Sequence, residues 1–345
     1  MKVGIFGLKG SGKTTVFNSL TGLGMAPHRS GEMLLGTVKI PDERVDYLAS
    51  VYHPRKVTHA ELVLADTAGA ANGNLAPRAA ADLRTMDVLT LVVRDFDSPL
   101  HEAAADPLAE FATMGDELIL EDLAVVEKRM ERLAKERGKH GSLEEALLSR
   151  CREHLEDSQP LRTMELTGQE LELLRGFQLL SLKRLIVLLN TPEDDPRHRP
   201  ARLSERVESH GASLMPLSAA IEAEIMQLEA EERREFLADL GLEETARERY
   251  LRHAYRQLGL ISFLTVGPDE CRAWTIRAGT PARRAAGVIH SDIERGFIRA
   301  EVISFEDFRA CGGTESAARA AGRYRLEGKD YLVRDGDIIN FRFNV

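Results

Sequence analysis

Short apolar runs alternate with amphipathic segments through most of the chain. The runs are nearly continuous, as is typical of strands buried on both faces of a parallel sheet, and they cover residues 3–6, 62–65, 88–93, 185–189 and 213–217. Segments with helical periodicity separate several of them, at residues 14–20, 76–86 and 203–209. This alternation predicts an α/β fold in which helices flank a parallel sheet.

A long helical stretch interrupts the alternation between the third and fourth runs. Its apolar residues recur at spacings of four and three, the pattern of a seam between packed helices; they are Ile119, Leu123, Val126, Met130 and Leu133. The pattern breaks at residues 138–141 and resumes over residues 143–155. We therefore expect an inserted helical hairpin. The stretch is acidic, which we interpret as a solvated face.

The sequence pattern changes again from about Ile261 onward. Short strands, tight turns and one short helix near residues 305–311 predict a separate small α+β module. The predicted domains are a discontinuous α/β domain over residues 1–100 and 183–260, a helical insertion over residues 101–182 and a C-terminal domain over residues 261–345.

Composition and charge narrow the class of protein. The chain has 345 residues and a formal net charge of −9, so the protein as a whole is not a basic nucleic-acid binder. No apolar run approaches the ~20 residues of a membrane span, and the chain enters a strand pattern at once, which leaves no room for a signal peptide. Its cysteines, Cys151, Cys271 and Cys311, lie too far apart to suggest a disulfide framework or a zinc site. We expect a soluble, cytoplasmic protein.

Residues 7–14 carry the clearest chemical signal, because Gly-Leu-Lys-Gly-Ser-Gly-Lys-Thr matches the pattern G-x-x-x-x-G-K-S/T. Glycines let backbone N–H groups approach phosphate oxygens, and the following helix adds its positive dipole end. Lys13 would contact the β- and γ-phosphates, and the Thr14 hydroxyl would bind Mg²⁺. A strand before the loop and a helix after it argue against an accidental glycine-rich turn. The predicted nucleotide-binding residues here are Gly7, Gly10, Ser11, Gly12, Lys13, Thr14 and Thr15.

A second signal follows the apolar run at residues 62–65. The segment Asp66-Thr67-Ala68-Gly69 places a carboxylate where it can reach Mg²⁺ through water, and the N–H of Gly69 where it can meet the γ-phosphate. The pattern D-x-x-G is weak alone, but it becomes specific after the second strand of a phosphate-loop domain.

The tetrapeptide Asn190-Thr191-Pro192-Glu193 follows the run at residues 185–189, where guanine-specific proteins of this class carry N-K-x-D. Here the acid is one methylene longer and the lysine is absent, so the guanine clamp is not built, and adenine does not require it. Ser218 and Ala219 follow the next run and are placed to form a second loop facing the base. Spacing alone leaves a second interpretation open, in which the tetrapeptide is a proline-containing turn.

The chain resembles a known family, the YchF-type Obg-like ATPases. The C-terminal part carries the most specific evidence, in residues 263–275, 286–302 and 341–345; residues 41–44, 92–94, 235–237 and 240–241 fit as well. The resemblance covers essentially the full chain. It implies an ATP-binding P-loop G-domain, a helical insertion, a ubiquitin-like TGS domain and association with ribosomes, and it favours an adenine-reading role for Asn190, Thr191 and Glu193.

The nucleotide-binding half departs from the family pattern at several positions. The family reads G-x-P-N-V-G-K-S-T, whereas Lys9, Gly10 and Ser11 stand here in place of Pro, Asn and Val. The position of the family's magnesium-binding threonine falls on Ser30, which still offers a hydroxyl. A helix pattern follows residues 70–73 directly, where the family has a glycine-rich loop. We expect these differences to affect nucleotide hydrolysis more than nucleotide binding.

The residues available for hydrolysis predict slow turnover. Ala70 stands where ordinary GTPases of this fold carry a glutamine that orients the attacking water. His101 resembles a histidine that the family has been proposed to use instead. The residues alone favour the simpler interpretation, in which His101 is a surface histidine on an acidic helix.

Several functions remain open on the sequence. The leading hypothesis is a slow ATPase that switches conformation and associates with the ribosome. The alternatives are a nucleotide-binding regulatory protein with little hydrolysis, a GTP-preferring translational GTPase, which the tetrapeptide disfavours, and a small-molecule kinase, which the TGS-like end disfavours. We expect a monomer that does not bind membranes.

The expected partner surface lies in the C-terminal domain. That domain is near neutral, and we expect it to contain a cluster formed by Arg272, Arg277, Arg283 and Arg284. Arginines can meet phosphates or acidic protein surfaces through forked contacts. Pairing of these arginines with Asp269, Glu270 and Asp292 is the alternative. The family resemblance favours a ribosomal surface made of RNA and protein together, so we expect binding to ribosomes or to the large subunit.

Overall fold

The computed structural model of the chain describes residues 1–23, 33–67, 70, 73–97, 104–135 and 142–344. The first elements are β1 (Lys2–Gly7), α1 (Lys13–Thr21), β2 (Leu34–Lys39), α2 (Glu43–Tyr52), β3 (Lys56–Thr58), β4 (Glu61–Asp66), α3 (Pro77–Arg84) and β5 (Val88–Arg94). The middle elements are α4 (Pro107–Lys135), α5 (Leu143–Glu156), α6 (Gly168–Leu174), β6 (Arg184–Asn190), α7 (Ala201–Ser209), β7 (Ser213–Leu217), α8 (Ala219–Ile225), α9 (Ala230–Asp239) and α10 (Ala246–Gln257).

The C-terminal elements complete the chain. They are β8 (Leu260–Thr265), β9 (Glu270–Arg277), α11 (Ala282–Ile289), α12 (Ser291–Arg295), β10 (Phe297–Ser304), α13 (Phe305–Ala310), α14 (Glu315–Ala320), β11 (Arg325–Glu327) and β12 (Asp337–Phe343). Among the described residues, no helix combines the length and apolarity that crossing a membrane requires.

The described chain divides into two compact units, residues 1–38 with 63–250 and residues 39–62 with 251–345. This division differs from the predicted boundaries, which placed residues 39–62 and 251–260 in the α/β domain and made the helical insertion a domain of its own. Residues 39–62, which the sequence assigned to the α/β domain, pack with the C-terminal residues. The helical insertion belongs to the first unit.

The first unit is built on a six-stranded sheet with the order β2-β4-β1-β5-β6-β7. In this sheet, β4 pairs with β1, β1 with β5, β5 with β6 and β6 with β7, and all four pairs are parallel. Every residue of β5 is buried, as expected for a central strand covered on both faces. The five predicted strands and the three predicted helices that separate them are confirmed, with end differences of one or two residues. Parallel strands end at the same edge of a sheet. One edge therefore carries the last residues of β1, β4, β5 and β6.

The long helix α4 contributes to two hydrophobic cores. Near its start, Phe111, Met114 and Leu118 are buried in the core of the first sheet. Further along, Ile119, Val126 and Leu133 are buried against α5, with Leu123 and Met130 partly buried beside them. The predicted seam and the second helix of the hairpin are therefore confirmed. The helical hairpin is not a separate compact unit, because α4 also covers the first sheet.

The second unit contains a six-stranded sheet of order β11-β10-β12-β8-β9-β3. Strand β10 pairs antiparallel with β11 and β12, and β8 pairs antiparallel with β9. Strand β3 joins this sheet at its edge, parallel to β9, with Val57 opposite Cys271. The sequence predicted an α+β module here and its short helix near residues 305–311, but not the edge strand from residues 56–58. The TGS assignment stays a prediction from the resemblance.

Candidate nucleotide-binding site

The glycine-rich loop between β1 and α1 contains glycines in a left-handed backbone conformation. Gly10 and Gly12 have φ angles of 85° and 83°, in the left-handed region that side chains disfavour. Gly12 is the N-cap residue of α1. A Cβ at Gly12 would lie 2.2 Å from Nδ2 of Asn190, so this position has no room for a side chain. The N–H groups at the start of α1 are therefore available for an anion.

Two polar side chains of the loop, Ser11 and Lys13, are withdrawn from solvent to different degrees. Ser11 is fully buried, and among the described residues its hydroxyl has no hydrogen-bond partner. Lys13 follows at the start of α1. Burial lowers the pKa of the Lys13 ammonium, and the nearby Asp66 carboxylate acts in the opposite direction. Bound phosphate would supply the negative charge that stabilises this partly buried ammonium.

Thr14 and Asp66, the residues predicted to bind magnesium directly and through water, are in contact with each other. The Thr14 hydroxyl donates a hydrogen bond of 3.0 Å to Oδ2 of Asp66, the buried last residue of β4. A hydroxyl and a carboxylate beside a phosphate loop form an oxygen donor set that suits Mg²⁺. The described residues contain no cluster of three or more acidic, histidine or cysteine side chains that could hold a metal. Thr14 and Asp66 are the two residues that would hold a metal ion bound together with nucleotide phosphates.

The chain after Asp66 returns to the phosphate loop. The backbone N–H of Ala70 donates to the carbonyl of Gly7, and the carbonyl of Ala70 accepts from the N–H of Lys9, both at 3.0 Å. The Ala70 side chain is buried and offers no polar group. Three predicted site residues, Ser30, Gly69 and His101, lie outside the described residues.

Asn190 links the phosphate loop to the loop after β7. Its Nδ2 donates to the carbonyl of Ser11 at 3.2 Å, and its Oδ1 accepts from the N–H of Ala219 at 3.1 Å. Both amide atoms are thus engaged within the protein, and Asn190 is 4% exposed. The next residue, Thr191, is also buried, and its N–H donates to the carbonyl of Leu217. Asn190 therefore positions the loops around the site.

A cavity of about 400 Å³ lies beside the phosphate loop. It is lined by Gly12, Thr15, Phe96, Asn190, Thr191, Pro192, Glu193, Ala219 and Ala220. The structure thus brings together the phosphate loop, the tetrapeptide and the loop after β7. Glu193 is exposed at this cavity, whereas Ser218 is buried and its hydroxyl has no partner among the described residues.

Phe96 is a wall of this cavity that sequence reasoning missed. It lies between Asp95 and Asp97, so no periodic pattern marks it. The available signal was its place two residues after a fully buried strand, at the edge of the sheet where β1 and β6 also end. An aromatic ring at this position offers a flat apolar surface to a ligand.

The four arginines of the predicted partner surface do not form one cluster. Arg272 stacks 3.9 Å above the ring of Trp274, and Arg277 ends the same strand five residues later, about 17 Å along a strand at ~3.3 Å per residue. Arg283 and Arg284 lie on α11, where Arg284 pairs with Glu294 at 3.1 Å. Of the pairs considered as an alternative, only Arg272 with Glu270 is present among the described contacts, at 3.9 Å.

Two family models match the chain. Residues 2–129 match the model described as "50S ribosome-binding GTPase". Residues 260–344 match the model for the YchF GTPase C-terminal region, described as "Protein of unknown function (DUF933)".

Full-length relatives extend these matches over the whole chain. The "Ribosome-binding ATPase YchF" of Haemophilus ducreyi is 40% identical over 361 aligned positions, which cover 100% of this chain and 99% of that protein. The protein of the same name from Bacillus subtilis is 37% identical, with all of both chains covered. The solved structure of the Schizosaccharomyces pombe YchF GTPase is 32% identical, with a TM-score of 0.87 over 99% of this chain and 97% of that one. The chain therefore belongs to the YchF family, as its sequence indicated.

Proposed function

We propose that this protein is an ATP-preferring, slowly hydrolysing nucleotide hydrolase that changes conformation with its nucleotide and associates with the ribosome. The observation that carries the proposal is the cavity beside the phosphate loop, whose walls include the tetrapeptide from Asn190 to Glu193.

The preference for adenine is supported by what lines the cavity. A guanine clamp needs an aspartate after Asn190 and a lysine beside it, and this chain has Glu193 and Thr191 at those positions. Buried Thr191 donates its hydroxyl to the carbonyl of Pro196 at 3.3 Å, so its short side chain holds the loop and does not cover a base. An unpaired polar group on a bound guanine would weaken binding by a few kcal/mol, about 1–3.

Slow hydrolysis is supported by Ala70. Its backbone is tied to Gly7 and Lys9, and its methyl group is buried, so no polar side chain at this position can orient the attacking water. The same observation favours a second candidate function, a nucleotide-dependent regulatory protein with little or no turnover. The rate of hydrolysis separates these two.

Mg²⁺ fits the pair formed by Thr14 and Asp66. When bound, the ion would neutralise phosphate charge during transfer. The residues of the chain do the positioning: the Thr14 hydroxyl offers a ligand oxygen, Asp66 holds that hydroxyl at 3.0 Å, and Lys13 adds a positive charge beside the phosphates.

The ribosomal partner is supported by the names of the relatives and by exposed arginines in the second unit. Arg277 and Arg283 are both exposed. Arg283 donates through Nε to the carbonyl of Glu294, a neutral acceptor, so its positive charge remains available to an anionic partner. Arginine forks suit both RNA phosphates and acidic protein surfaces.

The experiment for the nucleotide-binding part is parallel calorimetric titration with ATP, GTP, ADP and GDP in Mg²⁺, followed by steady-state turnover. ATP should bind at least about tenfold more tightly than GTP, and turnover should stay below ~1 s⁻¹, the lower end of ordinary kinases. Lys13→Ala should abolish binding. Tighter binding of GTP would contradict the proposed preference, and the absence of any turnover would favour the regulatory alternative.

The experiment for the ribosomal part is co-sedimentation with ribosomes and with separated subunits, in ATP and in ADP. We expect the protein to pellet with the large subunit, in a nucleotide-dependent way, and to dissociate as salt is raised because phosphate contacts release counterions. The variant Arg277→Glu with Arg283→Glu should weaken pelleting. The matched control is Arg309→Glu with Arg323→Glu, two exposed arginines elsewhere in the same unit. If both pairs of substitutions weaken pelleting equally, Arg277 and Arg283 do not form the specific contact with the ribosome.

A further inference from the structure

A buried ion pair joins the first turn of α4 to the end of β5. Oε1 of Glu110 accepts a hydrogen bond of 2.6 Å from Nε of Arg94, and Oε2 of Glu110 accepts one of 3.0 Å from the backbone N–H of Arg94. Arg94 is 5% exposed and Glu110 is 7% exposed. One carboxylate therefore fixes both the side chain and the main chain of the last residue of β5.

The two residues that follow Arg94 connect this ion pair to the cavity. Arg94 lies opposite Asn190 in the pairing of β5 with β6. The backbone N–H of Asp95 donates to the carbonyl of Asn190 at 2.9 Å, and Phe96 then lines the cavity. The position of the end of β5 thus sets two cavity walls, the ring of Phe96 and the amide of Asn190.

The helix that carries Glu110 is itself firmly placed. The next residue, Phe111, is buried in the core of the first sheet and contacts the ring of His210 edge-on at 5.7 Å. The same helix continues into the seam of the helical insertion, where Val126 is fully buried. A buried carboxylate on a rigid helix is a precise support, because neither the helix nor the strand end can move without breaking a charge-assisted hydrogen bond.

We infer that Glu110 is a positioning residue for the nucleobase, acting through Arg94 on the walls formed by Phe96 and Asn190. The inference rests on the proposed function, because it takes the cavity as the place of the base. It assigns to the first turn of the helical insertion a part in nucleotide binding. The loop at residues 7–14 would hold the phosphates and has its own backbone hydrogen bonds to Ala70, so we expect phosphate binding to depend on Glu110 much less than base binding does.

The test separates the base from the phosphates. Binding of ATP and of inorganic tripolyphosphate to the full-length protein is measured for the wild type and for Glu110→Gln, which keeps the size of the side chain but removes its charge. The control is Glu121→Gln on the same helix. Glu121 pairs with Arg84 at 2.8 Å, and Arg84 ends α3, beside the start of β5 and therefore at the other end of that strand from Arg94.

Glu110→Gln should weaken ATP binding about tenfold, the size expected for a lost charged hydrogen bond, and should change tripolyphosphate binding less than about twofold. Glu121→Gln should change neither ligand by more than about twofold. Arg94→Lys, which keeps the charge but removes the Nε donor to Glu110, should weaken ATP binding more than tripolyphosphate binding in the same way, and it serves if Glu110→Gln does not fold. Equal weakening of both ligands, or no weakening of ATP, would overturn the inference. If the wild type prefers GTP, the proposed preference fails, and the same comparison is made with GTP.

Discussion

The guanidinium of Arg44 donates a hydrogen bond of 2.8 Å to the carboxylate of Asp335, which lies 291 positions later in the chain. The same guanidinium forks onto Asp42 with two further distances of 2.8 Å. Asp335 also accepts the backbone N–H of Ser262. Burial lowers the pKa of Arg44, but the hydrogen bonds to Asp42 and Asp335 outweigh it and raise that pKa above its ordinary value. These contacts hold residues 39–62 within the second unit, although β2 and β4 on either side belong to the first sheet.

Arg44→Ala should therefore destabilise the second unit. We expect the free energy of unfolding to fall by about 1–2 kcal/mol, because two carboxylates lose a forked partner that is only about a quarter exposed. The single tryptophan of the chain, Trp274, lies in β9 of this unit, so its fluorescence during urea unfolding reports the change directly.

Arg55→Ala is the matched control for this prediction. Arg55 pairs with Asp269 at 3.4 Å in the same unit, but both side chains are more than four-fifths exposed. An exposed pair contributes little, so the loss should stay below about 0.5 kcal/mol. Equal losses in the two variants would show that the forked contacts of Arg44 do not hold the segment.

Gly12→Ala should remove nucleotide binding. The φ angle of 83° disfavours any side chain, and the new Cβ would meet Nδ2 of Asn190 at 2.2 Å. Either the phosphate loop or the Asn190 bridge to Ser11 and Ala219 must then shift. We expect ATP affinity to fall more than about 100-fold in calorimetry, as the loss of several phosphate contacts requires. Gly115→Ala, on α4 with open space around it, is the control and should bind ATP normally.

The phosphate loop and the central strands were predictable because each is encoded locally. Continuous apolar runs specify β1, β5 and β6, and glycines at fixed spacing specify the loop. The pairing of β3 with β9 was not predictable, because it joins Val57 to Cys271 and no local pattern records a partner so distant in the chain. Phe96 and Glu110 were missed for a related reason. Each is a single residue whose role arises only where the ends of separate strands meet.

A guanine clamp built into the cavity should move the base preference toward GTP. Thr191→Lys with Glu193→Asp restores the N-K-x-D pattern after Asn190, which already bridges the surrounding loops. The ratio of the dissociation constants for GTP and ATP should fall about tenfold or more, the size of one gained hydrogen-bonded pair. Thr191→Lys alone is the control, because it lacks the aspartate that accepts from guanine. An unchanged ratio in the double variant would mean that the tetrapeptide does not read the base.

Nucleotide binding should weaken at alkaline pH through Lys13. In the free protein, burial lowers the pKa of Lys13, and Asp66 only partly offsets this. A bound triphosphate raises the same pKa, because its charge favours the ammonium form. Between these two pKa values the free protein holds fewer protons than the complex, so binding must take up a proton. The dissociation constant should therefore rise with pH in that range, by up to about tenfold per pH unit. At lower pH, where Lys13 is charged in both states, it should not change through this group.

The measurement is calorimetric titration with ATP in buffers of different ionisation enthalpy, at neutral and alkaline pH. Proton uptake makes the apparent enthalpy depend on the buffer, and this dependence should grow as pH rises. Lys13→Arg is the control, because a guanidinium stays charged throughout this range. Its affinity is expected to be lower, since a fork replaces a point charge, but independent of pH. Should the wild type and Lys13→Arg share one pH profile, another group must control the alkaline loss of binding. Lys9→Ala, an exposed lysine of the same loop, should retain the wild-type profile.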